Sequence, residues 1–231
     1  MLGRMSLLPL ELTTIYRRLL LPTLIAAVAL AVVASAAGAD SFNAKVTPLP
    51  KNVRATMTGV TWQPDCPVGF KDLRLITSVY HDPKGATKTG KLVVHRDAAA
   101  ALVRVLKRIW RADFPIARMQ LIDAYGGDDW KSIEANNTSA FNCRKATGSK
   151  NWSNHAYGRA IDINPIQNPY VSGGKVFHKA SWRYIDRSQR KSPLEILAGD
   201  AVTRAFAAEG WSWGGSWSGT KDYQHFSVDG R

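Results

Sequence analysis

Cysteine is scarce in this sequence, because the 231 residues include only Cys66 and Cys143. Two cysteines exclude a zinc site made of cysteine alone and a fold held together by many disulfides. Hydrophobic residues make up 45% and charged residues 21% of the chain. This ordinary balance excludes disorder and collagen-like repeats as the main description. The chain also lacks internal repeats and long low-complexity tracts, and its length is sufficient for one domain with a hydrophobic core of its own.

The N-terminus contains a long run without any charged residue. Arg17 and Arg18 precede this run, which extends over residues 19–39 and ends in the small residues Ala37-Gly38-Ala39. A small-x-small ending is typical of a signal peptidase site, whereas about 20 apolar residues are also enough to span a bilayer. Residues 1–39 are therefore predicted to be a signal peptide or an N-terminal membrane anchor. Either alternative places the rest of the chain outside the cytoplasm, secreted or membrane-anchored in a bacterial cell envelope.

Acidic residues are few, with 18 against 31 Lys and Arg, and the formal charge is +13. Without the three arginines and one glutamate of residues 1–39, the remainder still carries 28 basic and 17 acidic side chains. Such a charge favours a polyanionic partner. Export argues against nucleic acid and leaves anionic cell-wall polymers, lipid headgroups, or a basic surface with no specific partner. Export also makes Cys66 and Cys143 a candidate disulfide, although the sequence does not provide the Cα separation that a bridge requires.

The local patterns predict a mixed fold. Residues 40–58 are polar, contain Pro48 and Pro50, and are predicted to link the N-terminal segment to a domain over 59–231. Apolar spacing predicts two helices, over 97–110 with Asp97 as its cap and over 201–209 before Gly210. The segment 81–91 is predicted as a loop. Strands are predicted at 73–80, 119–125, 160–164, 211–217 and 224–228. Strands and helices without regular alternation indicate an α+β fold.

The residues that carry chemistry are concentrated in the second half of the chain. His155, Asp162 and His225 form a set of two imidazoles and one carboxylate, which is typical of a catalytic zinc site with one open position. A water in that position has a lowered pKa. Asp222 precedes His225 by three residues, on a predicted turn, and is suited to take up a proton from that water. By residue type alone, the alternative is that His155 and His225 are ordinary structural histidines and that Asp162 caps a turn.

The longer strings around these residues resemble a known family. The string Ser153-x-His155-x-x-Gly158-x-Ala160-x-Asp162 is similar to the first zinc motif of the VanY-type D-Ala-D-Ala carboxypeptidases and the related L-Ala-D-Glu endopeptidases. The string Asp222-x-x-His225 is similar to their second motif, in which an acidic residue three positions before the histidine is the catalytic base. Residues 137–144 and 161–165 also look like family segments, and the resemblance extends over about residues 60 to 228.

This resemblance implies a small, mainly antiparallel sheet with packed helices in a single Hedgehog/DD-peptidase-like domain. It implies Zn²⁺ held by His155, Asp162 and His225, with Asp222 as general base and then general acid. Arg144 matches the substrate-binding arginine of the family, and a guanidinium can bind a carboxylate or a developing oxyanion. Its alternative is an ordinary surface arginine. Ser153 matches a supporting role toward substrate or ligand, with a turn serine as the alternative.

Three functions follow from these patterns. The first is an exported zinc peptidase that acts on peptidoglycan stem peptides, either as a D-Ala-D-Ala carboxypeptidase or as an L-Ala-D-Glu endopeptidase, and that works as a monomer. The presence of Asp222 where some members have Glu leaves the substrate open. The second is a non-catalytic cell-wall-binding module, because Hedgehog signalling domains resemble this fold. The third is a basic protein that binds wall polymers or anionic lipid by charge alone. A tryptophan groove from Trp152, Trp211, Trp213 and Trp217 is a further prediction, with core packing as the alternative.

Overall fold

The computed structural model describes residues 41–230. Within these residues the chain forms nine strands, four α-helices and five short 3-10 helices. The strands are β1 Ala44–Pro48, β2 Leu73–His81, β3 Thr87–His95, β4 Ala160–Asp162, β5 Tyr170–Ser172, β6 Lys175–Val176, β7 Ser212–Trp213, β8 Lys221–Asp222 and β9 His225–Ser227. The α-helices are α1 Lys51–Met57, α2 Ala99–Arg111, α3 Asp129–Glu134 and α4 Ala201–Ala207. The 3-10 helices are Phe70–Asp72, Ile122–Tyr125, Asn154–Tyr157, Lys179–Tyr184 and Gly214–Ser216.

The longest sheet is an antiparallel arrangement of β1, β2 and β3 in that order. The strand predicted at 73–80 is confirmed as β2, which pairs with β3 from Leu73 opposite His95 to His81 opposite Thr87. The predicted loop is shorter than 81–91, because Asp82 accepts hydrogen bonds from the backbone N–H groups of Lys84 and Ala86 and closes a tight turn. An aspartate that bonds the backbone ahead of it is a common turn former.

Helix α2 covers one face of this sheet. The predicted helix is confirmed, and its buried face joins Ile76 and Leu92 of the sheet in one core cluster through Leu102, Leu106 and Ile109. The predicted cap is wrong, because the helix begins after Ala98 and has no side-chain cap. The Asp97 carboxylate instead binds His95 and Arg159. An ion pair with arginine and a histidine contact satisfy this carboxylate more fully than one backbone N–H does.

Residues 40–58 differ from the linker predicted there. They contain β1, which extends the first sheet along β2, and α1, whose Val53 and Met57 are buried. Leu49 belongs to the same buried cluster as these two residues and Leu73 of β2. Proline is tolerated at the end of a strand and just before a helix, so Pro48 and Pro50 flank these elements instead of preventing them.

The strand predicted over residues 119–125 is wrong. Met119 forms only an isolated bridge with Thr138, and Ile122–Tyr125 is a 3-10 helix. This helix ends at Gly126, which has a left-handed conformation with φ of 67°. The apolar residues of this segment point into the core from irregular backbone, and their side-chain pattern does not distinguish that arrangement from a short strand.

Two smaller antiparallel sheets position the second half of the chain. One has the order β4-β9-β7 and the other the order β6-β5-β8. The predicted strands at 160–164 and 224–228 correspond to the three-residue strands β4 and β9, whereas 211–217 contributes only β7. The helix predicted at 201–209 is α4, and its packing partner is α2. The fold is a single α+β domain with small antiparallel sheets, as the resemblance implied.

The signal peptide or membrane anchor predicted over 1–39 lies outside the described residues. Among residues 41–230, no helix has the length and apolar character needed to cross a membrane.

Candidate active site

Three buried side chains converge at the centre of the second half of the chain. The distance from His155 Nε2 to His225 Nδ1 is 3.2 Å, and Asp162 Oδ1 lies 3.3 Å from His155 Nε2 and 3.0 Å from His225 Nδ1. Ligands about 2.0 to 2.1 Å from a tetrahedral zinc ion stand about 3.3 Å apart. The three atoms therefore already have nearly the mutual spacing of zinc ligands.

Two strands bring Asp162 and His225 together. The register of β4 and β9 pairs Asp162 directly with His225, and Ile161 with Phe226. Because neighbouring residues on a strand point to opposite faces, Ile161 and Phe226 lie in the hydrophobic core while Asp162 and His225 share the other face. The apolar residues on either side of the two ligands thus fix the register that places them side by side.

The third member, His155, comes from the 3-10 helix Asn154–Tyr157. Ser153 precedes this helix, and its hydroxyl accepts a hydrogen bond from the backbone N–H of His155 at 3.3 Å. The helix ends at Gly158, with φ of 67°, where a Cβ would stand 2.5 Å from the backbone nitrogen of His95. Only glycine fits this conformation and this close approach, so Gly158 fixes where the helix meets β3.

The hydrogen bonds around the cluster show which ring nitrogens of the two histidines are free to act as metal ligands. The Nδ1 of His155 lies 2.6 Å from the carbonyl oxygen of Ala140, which accepts its proton and leaves Nε2 with a lone pair. His225 Nε2 is buried and has no hydrogen-bond partner among residues 41–230. The lone pair of His155 Nε2, the Nδ1 of His225 and the Asp162 carboxylate therefore meet in one buried place. A metal ion satisfies such a set, and these residues fit one.

The protonation equilibria reflect this crowding. Burial alone raises the pKa of Asp162, but the charges and hydrogen bonds of His155 and His225 outweigh it and bring the net pKa far below its usual range. Burial lowers the pKa of His155, and the nearby Asp162 more than reverses this, so that the net pKa is raised. Asp162 is therefore ionised and places a negative charge next to the site that a cation would occupy.

Asp222 lies next to the cluster but in a different sheet. It ends the short strand β8 opposite Tyr170 of β5, so the predicted turn before β9 is a two-residue strand followed by a break. Its Oδ1 is buried and has no hydrogen-bond partner within the described residues. Burial, followed by the charge of Asp162, raises the pKa of Asp222 to about 7. A carboxyl group of this kind is suited to exchange protons near neutral pH.

Arg144 reaches the same cleft from the loop after Cys143. Its Nη2 donates to Asp129 Oδ2 at 2.9 Å, and its Nη1 donates to the carbonyl oxygen of Lys145 at 3.2 Å. Its Nε is buried without a hydrogen-bond partner among residues 41–230. The guanidinium is thus fixed by Asp129 and still has an unused donor. The sequence does not identify Asp129, because this residue belongs to no recognisable motif.

The predicted disulfide includes Cys143, the residue that immediately precedes Arg144 in the chain. Cys66 and Cys143 are bonded, with their Cα atoms 5.9 Å apart and a sequence separation of 77. The backbone N–H of Cys143 also donates to the carbonyl oxygen of Thr61 at 3.0 Å. Together these contacts attach the loop that carries Arg144 to the N-terminal part of the domain.

The His155, Asp162 and His225 cluster, Asp222 and Arg144 all open onto one cleft with a volume of about 830 Å³. Of the predicted groove tryptophans, Trp152 and Trp217 line it, while Trp211 is in the core. Trp213 donates its indole N–H to the carbonyl oxygen of Tyr223 and packs against the core. The groove therefore has two of the four tryptophans. Its principal lining residues are Asp129, Trp130, Arg144, Trp152, Ser153, His155, Asp162, Tyr170, Phe177, Trp217, Asp222 and His225.

Fold and site together define a small α+β domain with a buried His-Asp-His cluster, able to hold a metal, beside a carboxyl group in an open cleft. Residues 147–228 match the family model described as D-alanyl-D-alanine carboxypeptidase, and the match covers about a third of the chain. The match confirms the resemblance to the VanY-type family over this segment and supports a peptidase. The matched segment includes both zinc-like motifs and begins just after Arg144. Searches of curated proteins and of solved structures gave no match.

Proposed function

We propose that this protein is an exported zinc peptidase that hydrolyses amide bonds in peptidoglycan stem peptides, with D-Ala-D-Ala carboxypeptidase activity as the leading assignment. The observation that carries the proposal is the buried triangle of His155 Nε2, Asp162 Oδ1 and His225 Nδ1, with edges of 3.0 to 3.3 Å, beside the unpaired carboxyl group of Asp222. The family match supports a peptidase independently of this geometry.

The donor set favours zinc over other common ions. Two imidazoles and one carboxylate are typical of catalytic zinc sites, whereas magnesium and calcium prefer oxygen ligands throughout. A zinc ion bound by His155, Asp162 and His225 would polarise the substrate carbonyl and lower the pKa of water in the cleft. The Nδ1 hydrogen bond from His155 to Ala140 fixes the orientation of that ligand.

The chain supplies the proton transfers and the charge stabilisation. Asp222 accepts a proton at its carboxylate from the water that attacks the amide carbon, and then delivers it to the nitrogen of the leaving amine. Burial and the charge of Asp162 make the Asp222 carboxylate a stronger base than an exposed aspartate. The guanidinium of Arg144 lines the cleft and is suited to stabilise the carbonyl oxygen as negative charge develops there.

A second candidate is hydrolysis of the L-Ala-D-Glu bond within the stem. A carboxypeptidase must hold a free C-terminal carboxylate, and Arg144 is the single Lys or Arg side chain among the described residues that line the cleft. Asp129 already neutralises part of that cation. An internal bond needs no carboxylate subsite, so this ion pair favours the endopeptidase assignment.

Muropeptides of defined stem length test the proposal directly. The full chain is incubated with them in the presence of zinc or of a chelator, and the products are weighed by mass spectrometry. Loss of one alanine from pentapeptide stems is the result expected of a carboxypeptidase. Release of the stem beyond L-Ala is expected of an endopeptidase. Activity that persists in the chelator overturns the zinc assignment, and no product from the zinc-loaded protein favours a non-catalytic wall-binding module.

A further inference from the structure

An aromatic surface continues the cleft away from the His-Asp-His cluster. We call Trp130, Tyr170, Phe177 and His178 the aromatic wall. The Trp130 ring lies 5.9 Å from the His178 ring, and the Tyr170 ring lies 5.7 Å from the Phe177 ring in a stacked arrangement. Trp130 is 42% and Phe177 60% exposed. Large aromatic rings held against one another and still open to water mark a binding surface more often than a packing defect.

The wall is joined to the reactive groups by short structural connections. Trp130 follows Asp129, the residue that binds Arg144. Tyr170 is paired in register with Asp222, and the β5–β6 hairpin carries the chain from Tyr170 to Phe177. Trp130, Tyr170 and Phe177 all line the same cleft as the metal-ligand candidates. A substrate with its amide bond at Asp222 therefore extends along the wall if it is longer than a few residues.

The size of the cleft agrees with a longer substrate. Its volume of about 830 Å³ lies near the upper end of the range for sites that hold drug-sized ligands. Such a cleft has more room than the two residues flanking one amide bond require. Trp130, Tyr170 and Phe177 of the wall line this cleft, and their side chains offer a ligand an aromatic surface without formal charge.

The chemistry of the wall fits a sugar ring better than stem side chains. Alanine methyl groups cover only a small part of an indole or phenyl face, and the other stem side chains are charged. A pyranose chair is similar in size to these rings and has a face of C–H bonds that the negative face of an aromatic ring attracts. Its hydroxyl groups project from the edge and remain hydrated at an open rim.

We propose that the aromatic wall binds an amino-sugar ring of the glycan to which the stem peptide is attached. This inference rests on the proposed function, since it takes the stem peptide as the substrate. Trp130 and Phe177 are its specificity-determining residues, and they act by binding the glycan while the chemistry occurs at Asp222. The protein should therefore prefer stems that remain linked to their sugars.

The test compares a free pentapeptide stem with the same stem linked to its disaccharide, using the zinc-loaded full chain and mass-spectrometric rates. We expect a lower KM for the linked stem. Trp130→Ala and Phe177→Ala should each raise the KM for the linked stem by about 3- to 10-fold, a clearly larger rise than the one for the free stem. Trp130→Phe and Phe177→Tyr retain a ring and should restore most of the preference, which separates ring contact from loss of folding.

Trp182→Ala is the matched control. Trp182 is 53% exposed like the wall residues, but it is not among the residues that line the cleft. It should leave both substrates unaffected. Equal losses on free and linked stems would show that the rings bind peptide, and unchanged kinetics in both wall variants would show that the wall binds nothing; either result overturns the proposal. Calorimetric binding of the linked stem in chelator tests the wall even if hydrolysis itself is never observed.

Discussion

Asp222 is buried in the cleft that Asp162 and Arg144 also line. Its Oδ1 has no hydrogen-bond partner among residues 41–230. Folded proteins rarely leave a buried carboxyl oxygen unpaired, and where they do, the group commonly serves a function. The raised pKa of Asp222, caused first by burial and then by Asp162, has the same implication. This combination of features separates a catalytic carboxyl group from a structural one more clearly than its position before His225 does.

Asp222→Asn tests this role while preserving shape. Because the amide cannot accept the proton of the attacking water, we expect the hydrolysis rate to fall by about 10²- to 10⁴-fold. The three ligand candidates are untouched, so zinc content measured on the purified protein should stay the same. Asp128→Asn is the control, since its side chain caps α3 and asparagine caps equally well, and its only other polar side-chain contact among the described residues is an exposed ion pair with Lys131 at 3.9 Å. A variant with normal activity would exclude Asp222 as the base.

The role of Asp129, unlike that of Asp222, is visible only in the structure. We expect Asp129→Asn to lower kcat/KM by about 5- to 10-fold, because the guanidinium of Arg144 loses the charged partner that orients it. Asp129→Glu should restore part of the rate, and Asp128→Asn again serves as the neighbouring control. The measurement is steady-state kinetics on a stem peptide. Higher activity in Asp129→Asn would instead show that Asp129 competes with the substrate for Arg144.

At the scale of elements, β2 and α2 were predictable, whereas the equally long strand β3 and the elements before residue 60 were not. Strand β2 and helix α2 each contain enough apolar residues for their period to be visible in the sequence. The segment at 119–125 has the composition of a strand, but its side chains reach the core from a 3-10 helix and an isolated bridge. The elements at 40–58 were missed because their two prolines suggested a linker.

The residues of the candidate site also divide into those that the sequence predicts and those that it does not. The motif strings named His155, Asp162, Asp222 and His225, since these residue types recur at fixed positions in short stretches of chain. The pairing of β4 with β9 explains why Asp162 and His225 are adjacent although 63 positions separate them. Asp129, Trp130 and Phe177 could not be predicted, because a contact between distant segments depends on the fold and has no local pattern.

Replacing Gly158 tests how the 3-10 helix that carries His155 is held against β3. In Gly158→Ala the new Cβ would stand 2.5 Å from the His95 backbone nitrogen and would also require a left-handed conformation. We expect the free energy of unfolding to fall by about 2 to 4 kcal/mol, which combines the conformational and overpacking penalties. Gly148→Ala is the matched control, because Gly148 has φ of 71° with nothing within 4 Å of a Cβ, and should lose only about 1 kcal/mol. Chemical denaturation measures both.

Comparing Gly158→Ala with Gly148→Ala separates the cost of a left-handed backbone conformation from the cost of crowding against β3. Equal losses in Gly158→Ala and Gly148→Ala would mean that backbone conformation alone matters and that the contact between the His155 helix and β3 relaxes easily. A larger loss at Gly158, accompanied by reduced zinc content, would show that this contact holds His155 in position. Zinc content is the decisive second readout, because Gly148 belongs to the loop before Trp152 and carries no ligand candidate.

At the scale of the whole molecule, the Cys66–Cys143 bond connects the N-terminal part of the domain to the loop that carries Arg144. Closing a loop with a sequence separation of 77 restricts the unfolded chain by about 4 to 5 kcal/mol in the chain-entropy account. Such a bond is typical of proteins outside the cytoplasm, which agrees with the export that we propose. The same compartment contains the wall polymers that a strongly basic protein would meet.

The double variant Cys66→Ala with Cys143→Ala should therefore unfold at lower denaturant concentration, with a loss of several kcal/mol and no new free thiol to complicate the comparison. The reduced wild-type protein should resemble it, which controls for the loss of the two sulfur atoms from their packing. Activity is the more informative readout, because the bond adjoins Arg144 and not the metal ligands. We expect zinc content to persist while kcat/KM falls, since the guanidinium loses its support before the His-Asp-His cluster does. Loss of zinc together with the bond would show instead that the two halves of the domain fold as one unit and that the disulfide maintains the whole site.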